Sequence, residues 1–446
     1  MGIDRRSLIG VGAAAAAAAA SPAMAKAAKA AKAVNPAFPK GFLWGAATSG
    51  HQIEGNNVNA DTWLAENVKP TAYAEPSGDA CNSFELWPQD LDLVKAMGLN
   101  TYRFSLEWSR IEPEPGRFSI AMLDHYKAII AGCHQRGLTP MLTFNHYTTP
   151  RWFAARGGWT AADAPDLFGR FCDRAARHLA DGLAYATTLN EPNLPQVIRA
   201  AIPPEQLAKL LPLFKASAEA QARAMGSKVF VSGNSIAYDD LDALTARQIA
   251  GHRTGRAAIK AVRGDLPVGV SLAIPDDQPL GKNSIRDAMR DKQHKAWLEA
   301  ARGDDFLGVQ NYERSLWDDK GKVEPKSSGD HNLAGAPIFP DSIANAVRYA
   351  YSVAKVPIIV TEHGVNTDDD ALRARFTLAA LGELKKTIDE GVPVKGYLHW
   401  SLLDNFEWIF GYKMKYGLVA VDRTTFKRTP KPSSSIYGAV ARNNSL

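Results

Sequence analysis

Two glutamates stand where a folded chain should resist placing them. Glu191 closely follows the run Tyr185 to Leu189, and Glu362 follows Pro357 to Thr361. Both runs are apolar and β-branched stretches that end where a buried strand should end. A carboxylate at such a point is costly to desolvate unless its charge is used. Two of them meeting in one pocket can break a glycosidic bond, one as acid/base and the other as nucleophile. The two environments must then differ. An arginine beside the nucleophile holds its pKa down, whereas the acid needs a raised one.

Positioning such a pair takes a rigid frame, and the sequence supplies a repeating one. Eight strand-like runs recur: Phe42–Thr48, Thr101–Leu106, Pro140–Asn145, Tyr185–Leu189, Pro267–Leu272, Phe306–Tyr312, Pro357–Thr361 and Val394–Trp400. Between them lie segments of helical spacing. Met122, Tyr126, Ile129, Ile130 and Cys133 share one helix face, as do Phe168, Phe171, Cys172, Ala175 and Leu179. Strands alternating with helices predict a parallel sheet, and eight such units closing on themselves give an α/β fold, a (β/α)8 TIM barrel in a single domain. An open doubly wound sheet fits less well, because no glycine-rich nucleotide turn follows any strand. Long connections after strands one, four and six (Gly55–Asn82, Asn193–Thr245 and Glu313–Asp341) are expected to crown the C-terminal face, where barrels bind substrates.

Reading each strand to its C-terminal end gathers polar groups on that rim: Gln52, Arg103, His146, Asn190, Glu191, Gln310, Tyr312, Glu362, Trp400, Glu407 and Trp408. Hydrogen-bonding side chains beside flat indole faces suit a pyranose, which presents hydroxyls at its edge and C–H groups on its face. His51 and His399 read as structural, and Glu107 and Glu112 as salt-bridge partners.

Other features bound the function. Arg5-Arg6 precedes the alanine run Ala13 to Ala20 and the sequence Ala23-Met24-Ala25, which predicts a twin-arginine signal peptide over 1–25. Residues 26–36 read as a linker and 37–446 as the folded domain. The expected location is periplasmic or secreted, with no membrane association after cleavage. Removing the leader lowers the net charge from +5 to +4, too small and scattered for nucleic acid. Three cysteines within apolar patterns read as buried thiols. No CxxC, HExxH or Walker pattern is present. A metal-dependent barrel built on His51, His146, His363 and His399 would lack paired histidines and a bridging Lys or Asp. A non-catalytic sugar-binding barrel would need neither glutamate. The sequence does not fix an oligomeric state.

Five segments make the pattern specific. They are Phe42-Leu-Trp-Gly-Ala-Ala-Thr-Ser-Gly-His-Gln-Ile-Glu-Gly55, Tyr102-Arg-Phe-Ser-Leu-Glu-Trp-Ser-Arg110, Leu189-Asn-Glu-Pro192, Val360-Thr-Glu-His-Gly364 and Trp400-Ser-Leu-Leu-Asp-Asn-Phe-Glu-Trp408. In this order they resemble glycoside hydrolase family 1, the β-glucosidase-type retaining enzymes. The resemblance implies Glu191 as acid/base and Glu362 as nucleophile. It implies Asn190 on the sugar 2-hydroxyl, with Gln52, His146, Glu407 and Trp408 on the other hydroxyls. Trp400 would be the stacking platform, and Arg103 and Tyr312 would position and tune Glu362. It also implies an unphosphorylated glycone on a small oligosaccharide or an aryl or alkyl β-glycoside, hydrolysis or transglycosylation, and neither cofactor nor metal. The chain departs from the family pattern at Gln310 and His363, where Asn is usual, and from Asn193 to about Thr245.

Overall fold

Each expected strand forms within two residues of its predicted bounds. The computed structural model describes residues 37–325 and 329–446, so the expected leader and linker lie outside the described residues. The strands are β1 (Leu43–Ala47), β2 (Thr101–Ser105), β3 (Thr139–Asn145), β4 (Tyr185–Asn190), β5 (Val268–Ala273), β6 (Leu307–Asn311), β7 (Ile358–His363) and β8 (Val394–Trp400). Every neighbour is parallel and in sequence order, and Leu43 opposite Gly396 closes β1 on β8. This is the (β/α)8 barrel.

Alternation along the strands divides the apolar residues into two layers. Ile359 of β7 and Met141 of β3 join Leu43, Phe306 and Leu398 in a cluster inside the barrel. Ile358, Val360, Leu142 and Phe144 face outward into the larger core beneath the helices. The helix Ile120–Gln135 buries Leu123, Tyr126, Ile129, Ile130 and Cys133, and Ser119 caps its start by accepting from the Met122 amide. All three cysteines are buried free thiols. No helix among the described residues is long and apolar enough to cross a membrane.

The register slips on two strands. On β4 it shifts between Thr187 and Asn190; on β7 it shifts between Val360 and Glu362 against β6, and at Ile358/Ile359 and between Val360 and His363 against β8. Such irregularities re-aim side chains. On β7, Thr361 faces inward, its hydroxyl bonding Ser271 at 3.0 Å across Gly308. Strict alternation would therefore turn Glu362 outward, and the slip turns it inward instead. Gly308 permits the crossing, because a Cβ there would lie 2.3 Å from the Ser271 hydroxyl.

The connection after β4 departs from expectation. It is mostly helical, with Leu194–Ala201 and Pro204–Met225 preceding the crossover helix Leu241–Val262. Pro195 and Pro204 lie in first turns, where a missing N–H costs nothing, so proline there marks helix starts rather than loop. A cavity of about 280 Å³ opens beside Pro204–Met225, lined by Tyr73, Phe214, Gln221, Val229, Phe230 and Tyr238 among others.

Candidate active site

Every residue singled out on the strand ends reaches one cluster at the C-terminal rim. Arg103, fully buried in the middle of β2, organises it. Its Nη1 donates to Glu362 Oε1 at 2.6 Å and its Nη2 to Asn190 Oδ1 at 2.6 Å. The Tyr312 hydroxyl, just past β6, donates to Glu362 Oε2 at 2.8 Å, so both oxygens of that carboxylate are held. Glu191 stands one residue beyond β4 with φ of 42°, and its Oε2 accepts from the Tyr147 hydroxyl.

These surroundings set the charges. Burial, and then the nearby Glu362 charge, push Glu191 up to about 8, against the opposing pull of Tyr147 and Arg103. Burial raises Glu362 as well, opposed by Arg103, Tyr312 and Gln310. Only Glu362 has a cation in direct contact and donors on both oxygens. The shared negative charge therefore rests on Glu362 and the proton on Glu191. That is the protonation a nucleophile and a general acid require.

The polar rim is specified in detail by its donors. Arginine has no acceptor, so the Asn190 atom facing Arg103 is its oxygen, and the Gln310 amide also donates to it at 2.8 Å. The Asn190 nitrogen then faces His146 Nε2 at 3.2 Å. Burial and the Arg103 charge hold the His146 pKa well below its ordinary value, so the ring is neutral. Its Nε2 is the acceptor and its Nδ1 carries the proton. Among the described residues Nδ1 is buried without a partner, as are Gln52 Oε1 and Gln310 Oε1, leaving one donor and two acceptors for a polyhydroxylated ligand.

The loop after β8 supplies the remaining groups. Glu407 is buried, and the Trp400 indole N–H donates to it at 3.2 Å. Burial, with Glu362 and Asp404 nearby, raises its carboxyl to about 8. The Gln52 amide donates to the Phe406 carbonyl at 2.7 Å. The His146 ring lies nearly parallel to both Trp400 and Trp408, at 5.8 and 6.2 Å, and Trp408 also stacks on His51 at 5.8 Å.

The other histidines serve elsewhere. His51 pairs with Glu66 at 2.7 Å, His363 meets the Tyr397 hydroxyl at 2.9 Å, and His399 meets the Tyr416 carbonyl at 3.2 Å. The departure at His363 is thus absorbed outside the barrel, against Phe376 and Tyr397. Glu112 makes the expected ion pair, with Arg170. Glu107 does not. It accepts from the His51 amide, Asn57 and Thr148, and burial beside Glu54 raises it to about 7. Two tyrosines of the site were given no role in the sequence reading, although Tyr416-Gly-Leu418 also belongs to the segments that resemble the family. Tyr147 touches Glu191, and Tyr416 packs edge-on against Tyr312 at 5.6 Å. The place of Tyr147 beside His146 at a strand end was the available signal.

A closed parallel barrel with unlike buried glutamates at the C-terminal ends of β4 and β7 is the arrangement of a sugar-cleaving hydrolase. The model of Glycosyl hydrolase family 1 matches residues 34–234 and 305–446, and the chain belongs to that family. Residues 1–33 and 235–304 are unmatched, so the poor fit expected over 193–245 holds only at its end. β-Glucosidase A of Thermotoga maritima is 29% identical, covering 92% of this chain and 98% of that protein. A β-glucosidase of an Agrobacterium species is likewise 29% identical, over 91% of this chain and 95% of its own length. Among solved structures, the apo form of β-glucosidase 1317 superposes with a TM-score of 0.87 at 37% identity, covering 91% of this chain and 99% of that one.

Proposed function

We propose that the chain is an exported β-glycosidase of the β-glucosidase type, hydrolysing a terminal, unphosphorylated β-linked sugar by double displacement. The observation that carries this reading is the asymmetry of the glutamates. Glu362 is held ionised by Arg103 and Tyr312, and Glu191 is held protonated by burial and by the charge on Glu362. Glu362 attacks the anomeric carbon while Glu191 protonates the departing oxygen. Glu191, now ionised, then takes a proton from the water that displaces Glu362, and the sugar leaves with its β-configuration kept. His146 Nδ1 and the protonated Glu407 donate to glycone hydroxyls, while Gln52 Oε1 accepts. Among the described residues no cation lies against Glu407, which supports an uncharged glycone over a phosphorylated one, since a phosphate would require Arg or Lys at this end.

Leaving-group space is consistent with an aryl or alkyl aglycone. Asn234 and Ser235 line both a small cavity that includes Glu191 and the larger one bounded by Phe214, Val229 and Phe230. Export rests on Arg5-Arg6 and the alanine run that follows.

The deciding experiment is hydrolysis of a panel of p-nitrophenyl glycosides, with proton NMR of the first sugar released. Release of the β-anomer from a β-glycoside is the expected result, and α-anomer release or silence on every β-glycoside refutes the reading. For export, replacing Arg5 and Arg6 by lysine should retain the precursor in the cytoplasm. Unchanged export would remove the twin-arginine route.

A further inference from the structure

We propose that Tyr147 is the positioning residue of the acid/base, donating from its hydroxyl to Glu191 Oε2 so that Oε1 is left to carry the acid proton to the glycosidic oxygen. The proposal rests on Glu191 being the acid/base. A protonated carboxyl has one O–H, and an oxygen already accepting from tyrosine is the carbonyl oxygen of the pair. Tyr147 is the one donor to the Glu191 carboxyl among the described residues.

The backbone is arranged to hold this contact. Tyr147 and Glu191 have φ of 67° and 42°, in the left-handed region that bulky side chains rarely adopt and that marks over-determined positions. The loop carrying Tyr147 is fastened at Asp61, which accepts from the Thr149 amide at 2.9 Å, the Gly233 amide at 2.7 Å and the Ser232 hydroxyl at 3.1 Å. Gly233 lies flat on the Tyr147 carbonyl, where a Cβ would come within 2.1 Å of the oxygen. The ring is bounded by Trp408 at 5.2 Å and His146 at 5.0 Å, both edge to face.

Tyr147 also packs against the end of a hydrogen-bonded chain from the nucleophile. Arg103 joins Glu362 to the Asn190 carbonyl, and the Asn190 amide faces His146, whose ring meets Tyr147 edge to face. As Glu191 gives up its proton, the Tyr147 donation becomes charge-assisted and strengthens, favouring the transition state over the bound substrate. The charged and titratable groups facing Glu191 are Glu362 of β7, Arg103 of β2, Tyr147 beyond β3, Tyr312 beyond β6 and Tyr416 beyond β8.

The test is Tyr147→Phe, which keeps the ring and removes the donor. The alkaline limb of the kcat/KM profile should rise by about one pH unit, because the ionised form of Glu191 loses its hydrogen bond. kcat/KM for an alkyl β-glycoside should fall about tenfold or more, while that for a dinitrophenyl β-glycoside, whose leaving group needs no proton, stays within about twofold. A ring-fluorinated tyrosine at 147, a stronger donor in the same shape, should move the limb the other way. An unmoved limb, or equal losses on both leaving groups, overturns the role and leaves Tyr147 as packing for Trp408. If the unaltered protein cleaves no β-glycoside, the glycosidase reading itself fails. If it cleaves and the limb stays put, only the Tyr147 role fails.

Discussion

Replacing Arg103 by methionine tests the charge arrangement at its root. The Arg103–Glu362 pair spans 2.6 Å, the arginine side chain is fully buried and the glutamate side chain is 4% exposed. Removing one member of such a pair costs about 3–5 kcal/mol if the other stays charged. Glu362 escapes most of that cost by taking up a proton. At about 1.4 kcal/mol per pH unit, its pKa should rise by roughly two to three units. Methionine fills much of the space, so cavity formation adds little. The Asn190 carbonyl is not orphaned either, because Gln310 still donates to it at 2.8 Å. The Arg103 charge also lowers Glu191, but more weakly than the burial and Glu362 effects that raise it. Its loss therefore moves the alkaline limb of kcat/KM less than the acid limb. The bell should narrow from its acid side, with a loss of about a hundredfold near neutral pH and partial recovery as pH rises. The assay is kcat/KM against pH on p-nitrophenyl β-glucoside, with a thermal melt of the same samples. An acid limb within about 0.3 unit of the original, in a folded variant, would show that Arg103 does not hold Glu362 ionised, and the assignment of roles would fail with it.

Glu362→Ala should abolish turnover and recover part of it with azide, whereas azide with Glu191→Ala should yield a β-glycosyl azide; near-normal activity in either variant refutes the pair. Glu407 is raised from an ordinary 4.5 to about 8. The folded state therefore binds a proton that the unfolded state releases, and this group makes stability fall by up to about 1.4 kcal/mol per pH unit between those values. Glu407→Gln should accordingly raise the melting temperature near pH 8 and leave it unchanged near pH 4, while weakening glycone binding. Equal melting shifts at both pH values would contradict the burial argument. Gly308→Ala would press a methyl to 2.3 Å from Ser271 Oγ and 2.8 Å from Thr361 Oγ1, and should cost about 1–3 kcal/mol in denaturant titration.

The sequence carried the architecture because the outer layer of the barrel is written in runs such as Val268, Val270 and Leu272, which need nothing beyond hydrophobic spacing to place them. It carried the catalytic pair because a charge after such a run is expensive. It could not carry the direction those charges face. On β4, Thr187 bonds Thr143 inside the barrel and Thr188 bonds His252 outside it, so alternation sends Leu189 in and Asn190 out. The structure does the reverse, with Leu189 in the outer core and Asn190 on Arg103. On β7, Thr361 and Glu362 both turn inward. One-residue slips of register at Thr187–Asn190 and Val360–His363 make both reversals, and a slip is a property of strand pairing with no residue type of its own. Tyr147 was missed for a related reason: it meets Glu191 from a backbone of positive φ, which a tyrosine does not announce, and its place beside His146 was the one hint. The fold is thus legible where burial alone decides, and the site becomes legible only where local backbone departures aim what burial has already paid to place.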